Sequence, residues 1–207
     1  ASFFIIALDH HFVGRKNSSI EGEHQGERVL GDLNPVPEAA NLIASDPPVH
    51  TRLRKLVNRA FTPRLIAGLE PRLREITVGL LTHVAPRGEF DLVHDLSTPL
   101  PVIVIAEMLG VEPEHRADFK RWSDDVVLGT SRPTAEAVRA RVRQSGSALR
   151  VYFERLIERR RTDPGEDVIT ALVRAEEERD MLSAAEILAL AVLLLLAGNE
   201  TTTNLIG

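Results

Sequence analysis

The longest apolar run in the chain, ILALAVLLLLAG from Ile187 to Gly198, limits the folds that are available to it. Ser183, with Glu186 three residues on, forms a capping-box pattern, so the sequence predicts that a helix starts there. The run is shorter than the roughly 20 apolar residues that a membrane-spanning helix needs. We therefore expect a core helix that other helices must cover, in a protein without a membrane partner.

Composition excludes several classes of function. The chain has 207 residues, of which 43% are hydrophobic and 27% charged, and this is enough for a sizeable core. A net charge of -5 argues against a general nucleic-acid surface. Glu136, Glu154 and Glu158 lie beside or among the arginines from Arg139 to Arg161, so we expect a solvated helix face there. The chain has no cysteine, which excludes disulfides, thiolate metal sites and cysteine nucleophiles.

Helix signals dominate after an irregular lead. We expect residues 1–45 to be irregular, with a strand candidate at 3–8, and residues 46–207 to be helical. Asp46 as N-cap and Pro47 in the first turn predict a helix that runs to about Phe61. Further helices are predicted at about 64–85, 98–109, 112–129, 134–161 and up to about 178, and Gly110 is the predicted stop of the second of these. The predicted fold class is mainly α.

A first group of candidate site residues lies in DPPVHTRLRKLVNRAF. A helical wheel sets His50, Leu53, Arg54, Val57 and Phe61 on one side and Arg52, Lys55 and Arg59 on the other. His50 and Arg54 could simply border the core and bond to carbonyls or acidic partners. Alternatively, two cationic side chains at i and i+4 near a helix start could hold a carboxylate.

A second group, AGNETTTN, ends the apolar run with features that suit packing or chemistry. Ala197 and Gly198 could let a neighbouring helix approach, while the threonines bond to carbonyls one turn earlier. Alternatively, the small pair leaves room for a planar cofactor, and Glu200 and Thr201 place an acid beside an alcohol. The Thr201 hydroxyl could also compete for the Ala197 carbonyl and open the helix slightly.

These residues carry a resemblance to a known family. HTRLR, after DPP and closing on RAF, resembles the C helix of the bacterial cytochrome P450 family of heme-thiolate monooxygenases. AGNETT resembles that family's I-helix signature, A-G-x-[DE]-T-[TS], and PLPVIVIAEMLGVEPEHRADFKRWSDD resembles its E helix and the start of F. The resemblance covers about residues 44–207.

The resemblance implies an incomplete cytochrome P450 fold, from the C to the I helix, with little β structure. It implies a monooxygenase that inserts one oxygen atom of O₂ into a small organic substrate. Separately, apolar runs too short to span a bilayer and a start without signal-peptide features predict a cytoplasmic location. His50 and Arg54 would bind the propionates of heme b, and Ala197 and Gly198 would lie over the heme. Glu200 and Thr201 would help to deliver protons to dioxygen.

The same resemblance implies a redox partner. Electrons would come ultimately from NAD(P)H, through an acidic ferredoxin-type donor. That donor would bind the face that bears Arg52, Lys55 and Arg59. The substrate-contacting regions would fall around 31–44 and 128–134, whose composition does not identify the substrate.

Several family features are missing from the sequence. The family's axial cysteine and its E-x-x-R motif lie in regions that follow the I helix, and neither region is present in this sequence. Residues 1–30 do not resemble the family's N-terminal sheet. Three explanations compete: a fragment, an inactive natural truncation, or a cysteine-free relative that acts as a scaffold, for example as a glycosyltransferase partner. Retention of the His50, Arg54, Glu200 and Thr201 pattern favours a fragment that is inactive by itself.

A metal-dependent hydrolase is the alternative enzyme class. Its ligands would come from an acidic and histidine-bearing stretch that comprises Asp9, His10, His11, Glu21, Glu23 and His24. No regular spacing organises these side chains, whereas a metal site needs a defined ligand geometry. No metal ligand is therefore assigned.

Overall fold

The computed structural model describes residues 33–40, 42, 45–61, 63–131, 133–177 and 183–207, without the side chains of 63–65, 175–177 and 199–201. The strand predicted at 3–8 and the acidic, histidine-bearing stretch lie outside this part.

The described residues form a helical protein. The α-helices are α1 (Val49–Ala60), α2 (Pro63–Val84), α3 (Pro99–Met108), α4 (Arg116–Thr130), α5 (Glu136–Thr162), α6 (Val168–Glu177) and α7 (Ala184–Ile206). Short 3₁₀ turns occupy Ala85–Arg87 and Pro113–His115, and a π-helical turn occupies Val93–Ser97. The described ranges contain no strand. The mainly α class is confirmed.

The start of α1 differs from the prediction. The helix begins at Val49 after Pro48, and no side chain caps it. A cap side chain bonds to the amide two or three residues on. From Asp46 the first of these positions is a proline, which has no N–H. Asp46 contributes its backbone carbonyl instead, which accepts from the amide of His50 at 3.1 Å.

The start of α7, by contrast, follows the predicted capping box. The Ser183 hydroxyl accepts from the Glu186 amide at 3.2 Å, and the Glu186 carboxylate accepts from the Ser183 amide at 2.9 Å. Both bonds satisfy amides that a helix start otherwise leaves without partners.

Helix α7 is the central core element. Ile187, Leu188 and Leu195 are almost fully buried, and the helix packs against α3, α4, α5 and α6. By length and composition α7 could cross a membrane, which the shorter apolar run in the sequence does not suggest. However, 67% of its most apolar window is buried inside the protein. The predicted core role is confirmed.

Helix α5 is the other long element, and it has one apolar and one charged side. Phe153 packs edge-on against Phe119 of α4, with ring centroids 6.2 Å apart. On its charged side, Arg150 bonds to Glu154 at 2.9 Å and Arg161 to Glu158 at 3.2 Å. These pairs confirm the expected solvated face.

Gly110 ends α3 where the sequence predicts a stop. Its φ of +78° suits glycine, and an added Cβ would lie 2.3 Å from an oxygen of Asp167. That carboxylate accepts from Arg160 at 2.7 Å and from the Thr170 amide at 2.7 Å. Gly110 therefore lets α3 end against the junction of α5 and α6.

Glu107 ties three helices together. Arg72 of α2 donates to both of its carboxylate oxygens at 2.6 Å, and Arg116 of α4 approaches to 3.0 Å. The hydrogen bond from Arg72 holds the pKa of the Glu107 carboxyl below its usual range. This stabilisation is present above the pKa of the unfolded chain and is lost as the pH falls through the folded value.

Glu107→Gln should lower the free energy of unfolding at pH 7 by about 1 to 2 kcal/mol, because it removes a charge-assisted fork from a partly exposed site. The difference from wild type should shrink as the pH falls from the usual pKa range of a glutamate through the lowered pKa of folded Glu107, because the wild-type carboxylate is then protonated. Urea unfolding from pH 7 to pH 3 measures both effects. Glu75→Gln, on the same arginine but 66% exposed, should cost less. A constant difference across this range would contradict the assignment.

Candidate functional site

Helix α1 is divided into a buried half and an open half. Leu53, Leu56, Val57 and Ala60 are buried in the core. At 3.6 residues per turn these positions share one face. The polar residues between them must therefore lie on the other side of the helix.

A cavity of about 530 Å³ runs along that other side, and we call it the α1 groove. It is lined by His50, Thr51, Arg54, Lys55, Asn58 and Arg59. His50 and Arg54 are half-buried at its inner edge, whereas Lys55 and Arg59 are exposed. Among the described residues, the lining contains cationic and neutral donors and no carboxylate, which suits an anionic ligand.

The predicted division of α1 into two faces is wrong in one respect. Lys55 and Arg59 line the same groove as His50 and Arg54, rather than an opposite surface. The helical wheel omitted Leu56, which is fully buried. The buried face consists of Leu53, Leu56, Val57 and Ala60. Its centre lies roughly 70° from that of the predicted face, which left out Leu56 and Ala60, so His50 and Arg54 fall at the edge of the groove.

Arg52 also departs from the predicted basic face. Its guanidinium forms an ion pair with Glu186 in the first turn of α7. Burial raises the pKa of the Glu186 carboxyl, but hydrogen bonds from Arg52 and Ser183 outweigh it and hold the pKa below its usual range. Arg52 is therefore tied to α7 and does not line the groove.

The second group of candidate residues lies on α7. Ala197 is half-buried and Gly198 is buried. Glu200 and Thr201 lie within the helix, but their side chains are outside the described part. The roles assigned to these residues from the sequence remain predictions.

One threonine of this group has a packing role that the sequence did not indicate. The Thr203 hydroxyl donates to the carbonyl of Ser97 at 3.0 Å, across 106 residues of chain. Ser97 is buried at the end of the π-helical turn, and its hydroxyl donates to the Leu92 carbonyl at 3.1 Å. No local pattern predicts such a contact.

Metal ligation is not visible in the described residues. Within those ranges, no group of three His, Cys, Asp or Glu side chains could hold a metal ion.

Comparison with known proteins identifies the family. The chain is 47% identical over 176 residues to cytochrome P450 107B1 of Saccharopolyspora erythraea, across 85% of this chain and 40% of that protein. It is 42% identical over 173 residues to 6-deoxyerythronolide B hydroxylase of the same organism, across 82% of this chain and 41% of that protein. The chain belongs to the bacterial cytochrome P450 family. No protein-family model matches it.

Solved structures agree with this assignment. The cytochrome P450 CYP109E1 from Bacillus megaterium, in complex with corticosterone, superimposes with a TM-score of 0.73 at 41% identity. The match covers 87% of this chain and 49% of that one. The chain thus spans about 40% of the length of its curated cytochrome P450 relatives and about half of a solved one.

The hydroxyl of Thr203 should be needed for stability. Thr203→Val keeps the shape and leaves the Ser97 carbonyl without this donor, so the free energy of unfolding should fall by about 1 kcal/mol. Thr202→Val is the matched control, because Thr202 is half-buried on the same helix and donates no side-chain hydrogen bond within the described part. Urea unfolding of both variants measures the difference, and equal losses would refute the packing role.

Proposed function

We propose that this chain is the N-terminal part of a heme-dependent monooxygenase that inserts one oxygen atom of O₂ into an organic substrate. The observation that carries the proposal is the cationic α1 groove, in a chain 47% identical to a cytochrome P450 over 85% of its length. The chain has no cysteine, so the thiolate that ligates iron in this family would come from a polypeptide segment outside these 207 residues. By itself the chain would be inactive.

The donors of the α1 groove fit the carboxylate end of heme b. His50 and Arg54 lie one helical turn apart at its inner edge, and both offer N–H groups to an anion. A guanidinium can bind a carboxylate through two parallel hydrogen bonds. We assign His50 and Arg54 to the propionates.

Helix α7 would supply the residues that lie beside the heme where O₂ binds. Bound heme would provide the binding and activation of O₂, which side chains alone cannot perform. Ala197 and Gly198 would leave space for its plane because their side chains are small. Glu200 would hold a proton, and the Thr201 hydroxyl would orient the water that passes it on. The family signature at these positions supports both roles.

Lys55 and Arg59 would receive the electron donor. They are the exposed cations of the α1 groove, and an acidic ferredoxin-type protein would be attracted to them. Electrons would come ultimately from NAD(P)H. Arg52 is left out of this surface because it is bound to Glu186.

The relatives suggest a class of substrate. One is named 6-deoxyerythronolide B hydroxylase, and a solved relative is in complex with corticosterone. Both names describe large cyclic organic molecules. We propose an organic substrate of this kind, oxidised in the cytoplasm.

A cysteine-free scaffold, such as a glycosyltransferase partner, is the alternative, and the lack of cysteine in the chain favours it. A scaffold does not need to recognise heme carboxylates. Binding of heme carboxylates therefore separates the two functions.

The 207-residue chain should bind hemin more tightly than hemin dimethyl ester, whose propionates are blocked. Arg54→Gln should remove most of this preference, because a charge-assisted contact to a carboxylate is worth about 1.5 to 3 kcal/mol. Absorbance titration with both probes measures the ratio of affinities. Arg74→Gln, an exposed arginine of α2, is the control and should keep the wild-type ratio. Equal affinity of the wild type for both probes would favour the scaffold.

The proton role of Thr201 needs a complete enzyme, made by joining this chain to the C-terminal part of cytochrome P450 107B1. There Thr201→Ala should lower the amount of product per NAD(P)H consumed and raise hydrogen peroxide, because the proton-delivering water loses its hydroxyl partner. Thr203→Val is the matched control, since its hydroxyl is bound to Ser97. Unchanged product yield per NAD(P)H in Thr201→Ala would overturn the role.

A further inference from the structure

Arg52 lies between His50 and Arg54 in the sequence, but its side chain contacts α7 and not the α1 groove. The groove lining includes His50 and Arg54 and skips Arg52. Its guanidinium reaches Glu186, 134 residues further along the chain. The Arg52 side chain is 33% exposed and that of Glu186 only 12%. The pair is thus sheltered from solvent more than an ordinary surface ion pair.

Glu186 is itself fixed in place. Its Oε2 accepts from the Ser183 amide at 2.9 Å and from the Ser183 hydroxyl at 3.3 Å, while its Oε1 accepts from Arg52. Each carboxylate oxygen therefore has a different partner. Because the capping box anchors the carboxylate to the backbone of α7, a bond from Arg52 to it locates α1 against the first turn of α7.

Helix α7 connects Glu186 to Ala197 and Gly198, the residues proposed to lie over the heme. It is continuous from Ala184 to Ile206. At a rise of 1.5 Å per residue, Ala197 lies roughly 16 Å along the axis from Glu186. A shift of α1 along α7 would therefore move His50 and Arg54 relative to Ala197 and Gly198.

We propose that Arg52 is a positioning residue. Through its ion pair with Glu186, it fixes the position of His50 and Arg54 along the axis of α7, relative to Ala197 and Gly198. Its part in heme binding rests on the proposed function, whereas its part in locating α1 does not. This role differs from the docking role predicted from the sequence. A docking cation acts on the electron donor, but Arg52 acts within this chain.

The test uses the 207-residue chain with Arg52→Gln, Arg52→Lys, Glu186→Gln and the double variant Arg52→Gln/Glu186→Gln. Amide hydrogen exchange is measured at the starts of α1 and α7, together with the affinity ratio for hemin and hemin dimethyl ester. Arg52→Gln should speed exchange at both helix starts by roughly tenfold and reduce the preference for hemin. Arg74→Gln should change neither.

Two comparisons show whether Arg52 acts through Glu186. The double variant should be no worse than Glu186→Gln alone, and Arg52→Lys, which keeps the charge, should recover part of both readouts. Additive losses in the double variant, or unchanged exchange at both helix starts in Arg52→Gln, would overturn the proposal. If no protein distinguishes hemin from its ester, the proposed function fails, and hydrogen exchange still decides whether Arg52 locates α1.

Discussion

The structure depends on covering one apolar helix. Burying a leucine or isoleucine side chain contributes about 1.5 to 3 kcal/mol, and α7 presents such residues over several turns. Helices α3, α4, α5 and α6 pack around it. Helix α1 packs on α6 and reaches α7 through the Arg52–Glu186 pair. The placement of the α1 groove is thus a consequence of how α7 is covered.

Local signals predicted the elements well. Gly110 marked the end of α3, and Ser183 with Glu186 marked the start of α7, because backbone conformation and capping depend on neighbouring residues. The same reasoning failed at Asp46, where consecutive prolines moved the helix start. It also oriented the apolar face of α1 wrongly, because the helical wheel left out the buried Leu56 and Ala60.

The contacts that organise the candidate site could not be predicted in this way. Arg52 and Glu186 are 134 residues apart, and Thr203 and Ser97 are 106 apart. Such pairs are set by how helices pack, and a helical wheel treats each helix alone. The sequence pattern predicted a site at His50 and Arg54, and in the structure Lys55 and Arg59 line the same groove as these two residues.

We propose that this chain carries the carboxylate-binding and proton-delivering part of a heme-thiolate enzyme, and that the ligating cysteine lies in a polypeptide segment outside these 207 residues. The most direct test joins the chain to the C-terminal part of cytochrome P450 107B1, adds heme, and records the absorbance of the reduced carbon monoxide complex. We expect the joined protein to show the absorbance shift typical of a thiolate ligand. Heme incorporation without that shift, or failure of the joined protein to retain heme, would contradict it.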